Sequence, residues 1–191
     1  MLDWIKNIGK EVPEFWKTYL TTFNSKTTRY VVISCETSGS NAENDTILSV
    51  AAIGVTGKTL QIQDSFEIKI NYDTEINTIT KTAQTSEMNP VDALRAFIEF
   101  IGNAKLIGYR INFEVAILNE ALSKLHCGKL KNEVFDLEVM HKKLENIVED
   151  NFYINELFSI YGIAKSDRNS AAIEAFNMGL LFLKLKGRLK I

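Results

Sequence analysis

Glu36 stands in the run Tyr30-Val31-Val32-Ile33-Ser34-Cys35-Glu36-Thr37-Ser38-Gly39, whose apolar start and acidic, turn-forming finish read as a buried strand with a polar tip. A carboxylate at the C-terminal edge of a strand is well placed to hold a metal ion, although any surface glutamate can look the same. Glu114 stands at the start of a helical pattern, where the helix dipole by itself favours an acid. Asp136, in Val134-Phe135-Asp136-Leu137, precedes another helical pattern and reads as an N-cap. The chemistry open to several converging carboxylates is two-metal phosphoryl transfer, with hard cations ~3.5–4 Å apart, one activating water and the other stabilising the leaving oxygen. His126 and His141, the two histidines, lie outside these runs and read as surface or packing residues. Cys35 and Cys127 have no metal-type spacing, and Cys35 reads as a small buried strand residue.

The elements that would carry these residues are legible from periodicity. Strand-like runs cover 29–34, 46–55, 58–70, 105–109 and 133–136, with Thr56-Gly57 as a tight hairpin turn between the second and third. The first two are apolar enough to lie centrally, while Leu60, Ile62, Phe66, Ile68 and Ile70 suit a half-exposed antiparallel strand. Helical patterns follow at 89–101, opened by Asn89-Pro90, and at 113–125, 137–147, 153–161 and 170–186. Three strands first, then strands alternating with helices, give an α/β fold with a mixed sheet flanked by helices. Residues 2–23 place Ile5, Ile8, Val12, Phe15, Trp16, Tyr19, Leu20 and Phe23 at helical spacing, with Pro13 opening a second helix. This arm carries both tryptophans, Trp4 and Trp16, and buries its aromatic face either on its own domain or on a partner.

With 191 residues and 46% hydrophobic residues, the chain has material for one buried core and is short for two. No apolar run approaches the ~20 residues of a membrane span, and Asp3, Lys6, Lys10 and Glu11 replace a signal-peptide core, so the expectation is a cytoplasmic protein without membrane contact. A net charge of −2 supplies no global attraction to a phosphate backbone. Affinity for nucleic acid would therefore need a local basic patch or bound metal. Lys184, Lys186, Arg188 and Lys190, with Arg110, Lys142 and Lys143, are candidates for phosphate contacts, and solvated helix faces account for them equally well.

Three stretches together resemble the proofreading-type 3′-5′ exonucleases, the DnaQ-like (DEDDh) family with a ribonuclease H-like fold. Ser34-Cys35-Glu36-Thr37-Ser38-Gly39, continuing through Asp45 to Ala52, is similar to the family's first motif, Asp-x-Glu-Thr-Thr-Gly after an apolar strand. Gly108-Tyr109-Arg110-Ile111-Asn112-Phe113-Glu114 is similar to Gly-His-Asn-x-x-Phe-Asp. Asn169-Ser170-Ala171-Ala172-Ile173-Glu174-Ala175 resembles His-x-Ala-x-x-Asp-Ala. The motifs span about residues 29–185 in the family's order. The resemblance implies a five-stranded mixed sheet flanked by helices, with an N-terminal helical extension at 1–28 and an exonuclease-like domain at 29–191. It implies Glu36, Glu114 and Glu174 as ligands of Mg²⁺ or Mn²⁺, or a site that holds none. It places Ser34 and Asn169 at substituted catalytic positions, and Thr37, Ser38, Gly39, Tyr109 and Arg110 against a single-stranded DNA 3′ end.

The departures bear on activity. The family's first acid, which bridges both metals, is Ser34, and its general-base histidine is Asn169, which cannot accept a proton near neutral pH. Glu114 and Glu174 replace aspartates, keeping charge but adding a methylene, and a misplacement near 1 Å costs about a hundredfold in rate. Three readings follow: an exonuclease-type module with impaired or lost catalysis that binds nucleic acid or protein; an active metal-dependent 3′-5′ exonuclease with a Glu-rich site; and an interaction protein working through the N-terminal aromatic arm.

Overall fold

The computed structural model describes residues 12–72, 80–82, 85–164 and 170–190. In chain order the elements are α1 (Glu14–Thr22), β1 (Tyr30–Thr37), β2 (Ile47–Thr56), β3 (Thr59–Ile70), β4 (Thr80–Thr82), β5 (Thr85–Met88), α2 (Pro90–Ile101), β6 (Lys105–Gly108), α3 (Asn112–Lys124), β7 (Val134–Asp136), α4 (Leu137–Glu145), α5 (Ile154–Ile160) and α6 (Ala171–Leu189). The strands form one mixed sheet in the order β4-β5-β3-β2-β1-β6-β7. All five strands read from the sequence are present, and β1 and β2 lie centrally between β3 and β6. The count of five is corrected to seven. β4 and β5 lack apolar alternation and exist because β5 pairs in parallel with the end of β3, Ile68 to Ser86 and Ile70 to Met88, with β4 folding back on it.

Alternation along the central strands divides the core in two. Val31 and Ile33 of β1 face one side, where they pack with Trp16 and Tyr19 of α1, Phe97, Ile98 and Ile101 of α2, and Ile117, Leu118 and Leu122 of α3. Val32 of β1 and Ala51, Ile53 and Val55 of β2 face the other, against Leu137 of α4, Leu157 of α5 and Met178, Leu181, Phe182 and Leu185 of α6. The described part of the arm is thus packed on its own domain, while Trp4 lies outside the described residues. No described helix is long and apolar enough to cross a membrane.

Close approaches occur on both faces of the sheet, one on the α2 side and one under α6. A Cβ at Gly54 would stand 1.9 Å from Asp64 Oδ2, and that carboxylate is held by a two-pronged pair with Arg29 at the start of β1. On α6, a Cβ at Gly179 would stand 2.6 Å from Leu60 Cδ2, so the missing side chain lets the helix lie close on β3. That contact helps fix the helix that carries Glu174. Asn89 caps α2 by accepting from the Asp92 amide, with Pro90 in the first turn, as the sequence predicts.

Candidate active site

Ser34 and Glu36 are two residues apart on β1 and therefore point to the same face, the one covered by α6. Glu36 is paired in register with Ser49 of β2, and the Ser49 hydroxyl donates to Glu36 Oε2. Immediately beyond, the β1–β2 register slips between Glu36 and Thr37, a bulge that ends regular pairing at the site. Glu174 enters from the first turn of α6, which begins where the Ser170 hydroxyl accepts from the Ile173 amide. Ser34 is buried and its hydroxyl donates to Glu174 Oε2 at 3.1 Å.

Glu114 sits in the first turn of α3, just past the end of β6. Its Oε2 is buried and has no hydrogen-bond partner among the described residues. Desolvation, opposed by the residue's own backbone amide and reinforced by the charges of Glu174 and Asp136, pushes its carboxyl up to about 8. Near neutral pH Glu114 is thus mainly protonated, a hydrogen-bond donor more than an anionic ligand. Burial, aided by Glu114 and Glu174, also pushes the Cys35 thiol well above its ordinary range, which fits an unreactive packing residue.

The remaining predicted residues are structurally engaged. Thr37 donates to the Gly39 carbonyl at 2.7 Å, and Ser38 donates to Asp45 Oδ1 at 2.8 Å. A Cβ at Gly39 would strike the Asp45 carboxylate at 2.6 Å, so this tip is organised around Asp45. The Tyr109 hydroxyl donates to the Phe152 carbonyl at 2.8 Å. Arg110, at φ 49°, donates from Nε to Glu138 Oε2 at 3.0 Å and stacks beside the Tyr109 ring. Asn169 lies outside the described residues. Asp136 caps α4 as expected, Oδ1 accepting from the Glu138 and Val139 amides, and its Oδ2 also accepts from the Ile111 amide.

Sequence reasoning missed Ser49 and Glu138. The β1–β2 pairing could have flagged Ser49, since any residue opposite Glu36 on that face touches it. Glu138 carried no local signal; its partners are gathered by the fold.

The family to which the motifs point implies divalent metal, and the donor set tests that implication. Ser34 offers a neutral oxygen where the family has an anionic bridge. Ser49 and Ser34 donate into Glu36 and Glu174, occupying carboxylate oxygens that a cation would use. Among the described residues, no three acidic, histidine or cysteine side chains form a group able to hold an ion, so Glu36, Glu114 and Glu174 are not brought together as a three-acid cage. These residues do not fit the two-metal arrangement.

A mixed sheet flanked by helices, with acids at the β1 tip and in the first turns of α3 and α6, defines the class of ribonuclease H-like exonuclease folds. The family model described as "Exonuclease" (RNase_T) matches residues 31–168, and the chain belongs to this DnaQ-like exonuclease family. Among its relatives, the PolC-type DNA polymerase III of Bacillus subtilis (strain 168) is 31% identical over 164 residues, which is 82% of this chain and 11% of the polymerase. The same polymerase type from Clostridium perfringens is 33% identical over 115 residues, 56% of this chain and 8% of the polymerase. The chain therefore spans about a tenth of the length of these relatives. Among solved structures, Escherichia coli exonuclease I in complex with a dT13 oligonucleotide superposes with a TM-score of 0.65 at 14% identity, covering 86% of this chain and 42% of that one. That likeness concerns the fold.

Proposed function

We propose that this chain is an exonuclease-fold module that binds single-stranded DNA at its 3′ end while phosphodiester hydrolysis is impaired. The observation that carries this reading is the Ser34 hydroxyl donating to Glu174 Oε2, a neutral protein contact where the family's chemistry uses a carboxylate on metal. Ser49 makes the equivalent contact to Glu36. Two hydroxyl–carboxylate pairs satisfy the acids internally, and a protonated Glu114 adds a donor that a phosphate oxygen can accept. The complex of exonuclease I with dT13 supports a single strand as the ligand class, and the polymerase relatives support DNA over RNA.

A second reading, an active Mg²⁺- or Mn²⁺-dependent 3′-5′ exonuclease, draws support from the survival of an acid at three motif positions. The experiment is an end-labelled single-stranded DNA assay with Mg²⁺ or Mn²⁺ beside a binding titration of the same strand. Binding with no turnover at high protein concentration is the expected result. Hydrolysis that disappears in Glu36→Ala would establish the second reading in its place. Combining Ser34→Asp, Glu114→Asp, Glu174→Asp and Asn169→His should confer Mg²⁺-dependent hydrolysis if the strand-binding groove is intact.

A further inference from the structure

At the opposite end of the sheet from the carboxylates, a pocket of about 380 Å³ is lined by Gly57 and Lys58 of the β2–β3 hairpin, by Leu183, Lys186 and Gly187 of α6, and by Lys190, which caps that helix. Leu183, Lys186 and Gly187 recur at i, i+3 and i+4 on one face of the helix, Lys190 follows as its left-handed C-cap, and the hairpin turn lines the same pocket. No acid lines the pocket, and Lys58, Lys186 and Lys190 form no ion pair among the described residues. A Cβ at Gly57 or Gly187 would meet nothing within 4 Å, so the space between the lysines is open to a ligand. Lys186 Nζ stands 4.4 Å from the centroid of the Tyr30 ring, which holds the ammonium at the pocket rim.

Lysines in the last turn of a helix are ordinarily accounted for by the dipole, and Lys186 alone would merit no further reading. Lys58 comes from the hairpin, so the three lysines are not the charge pattern of one helix end alone. Three lysines from two elements, without an ion pair among the described residues, line one pocket in a chain of net charge −2 and give it a local excess of positive charge.

We infer that this pocket binds a backbone phosphate of single-stranded DNA, a second contact on a strand whose 3′ end occupies the carboxylate site. The inference rests on the nucleic-acid reading above. Glu174 lies near one end of α6 and Lys186 and Lys190 near the other, ~18–24 Å away at ~1.5 Å per residue. A stacked strand advancing ~3.4 Å per nucleotide covers that distance in ~5–7 nucleotides. An unstacked strand extends further per nucleotide, so only strands of ~3 nucleotides or fewer are confined to one site.

The test is fluorescence anisotropy of the full chain with oligo-dT of ~3 and ~12 nucleotides over a salt series, in chelator to prevent hydrolysis. The triple variant Lys58→Gln, Lys186→Met, Lys190→Gln should weaken the long strand about tenfold. It should also flatten its log affinity against log salt slope by ~2, three lysines at ~0.7 each. The short strand should be unaffected, and arginine at all three positions should restore the long strand. Equal wild-type affinity for the two lengths, or no loss in the triple variant, overturns the inference and leaves the carboxylate-site reading standing. An equal loss on neutralising Lys17, Lys26 and Lys129 instead also overturns it, since net charge would then be the cause. If neither strand binds the wild-type protein, this inference and the nucleic-acid reading fall together.

Discussion

Ser34 and Glu114 alter the electrostatics of the site in the same direction. The serine removes a formal charge from the β1 tip, and burial keeps a proton on the glutamate, so the acids crowd against one another less than four carboxylates would. Glu114 makes this measurable. Its carboxyl stands at about 8 in the fold against ~4.3 in an unfolded chain, so between those values the folded state holds the extra proton. The stability contributed by that proton is complete below about pH 4.3 and is lost as pH rises through about 8. Glu114→Gln keeps the shape and stays neutral. Its stability should match the wild type near pH 4.5, exceed it increasingly toward pH 8 at up to ~1.4 kcal/mol per pH unit, and then level off. Urea titrations across that range decide it, and a difference constant with pH would show that Glu114 ionises freely. The identities of these residues and their place at a strand tip or helix start were legible in the chain. Their protonation was not, because it depends on which groups burial brings beside them.

Periodicity revealed most of the elements, since apolar alternation and helical spacing are local properties. It missed β4 and β5, which are held by β3 and carry no apolar pattern of their own, and it gave no sign of the contacts made within the fold by Tyr109 and Arg110, which the family resemblance sets against a DNA end. In the fold these two residues lock the turn between β6 and α3 onto the segment preceding α5. The Tyr109 hydroxyl holds the Phe152 carbonyl, while Glu138 of α4 accepts from the Phe152 amide at 3.1 Å, from Arg110 Nε at 3.0 Å and from Lys142 Nζ at 3.1 Å. Desolvation works to raise the Glu138 carboxyl, but the Phe152 amide, Arg110 and Lys142 outweigh it and hold it below its ordinary value. Glu138→Ala leaves three donors without their shared acceptor and should cost ~2–4 kcal/mol. Arg110→Ala removes a half-exposed partner while the other two remain, and should cost ~1 kcal/mol or less. Chemical denaturation of the two variants separates these outcomes; equal losses would mean that the pair, not the junction, carries the energy. The network escaped sequence reading because, apart from the i, i+4 pair of Glu138 and Lys142, its contacts join residues 14 to 43 positions apart with no shared pattern.

At the scale of the whole molecule, the family resemblance implies a boundary at residue 28 between a helical extension and an exonuclease-like domain, and the family match begins at residue 31. The packing of α1 crosses that boundary. Trp16 and Tyr19 are 3% and 2% exposed, their rings stack at 4.6 Å between centroids, and both belong to the core shared by β1, α2 and α3. The Tyr19 hydroxyl donates to Asn132 Oδ1 at 2.7 Å and accepts from the Lys131 amide at 2.8 Å, tying the helix to the approach to β7. Burial, more than offsetting those backbone contacts, pushes this phenol up to about 12. An aromatic arm evolved for a partner would leave these groups outward, whereas here they complete one of the two cores. Trp16→Ala should therefore cost ~3–5 kcal/mol, and Tyr19→Phe ~1–3 kcal/mol through the stranded Lys131 amide. Both losses should appear in a single cooperative transition followed by far-ultraviolet and near-ultraviolet circular dichroism together. If residues 29–191 instead fold as an independent unit, the two variants will lose only a small early transition and leave the main midpoint unmoved, and the boundary at residue 28 will be a physical one.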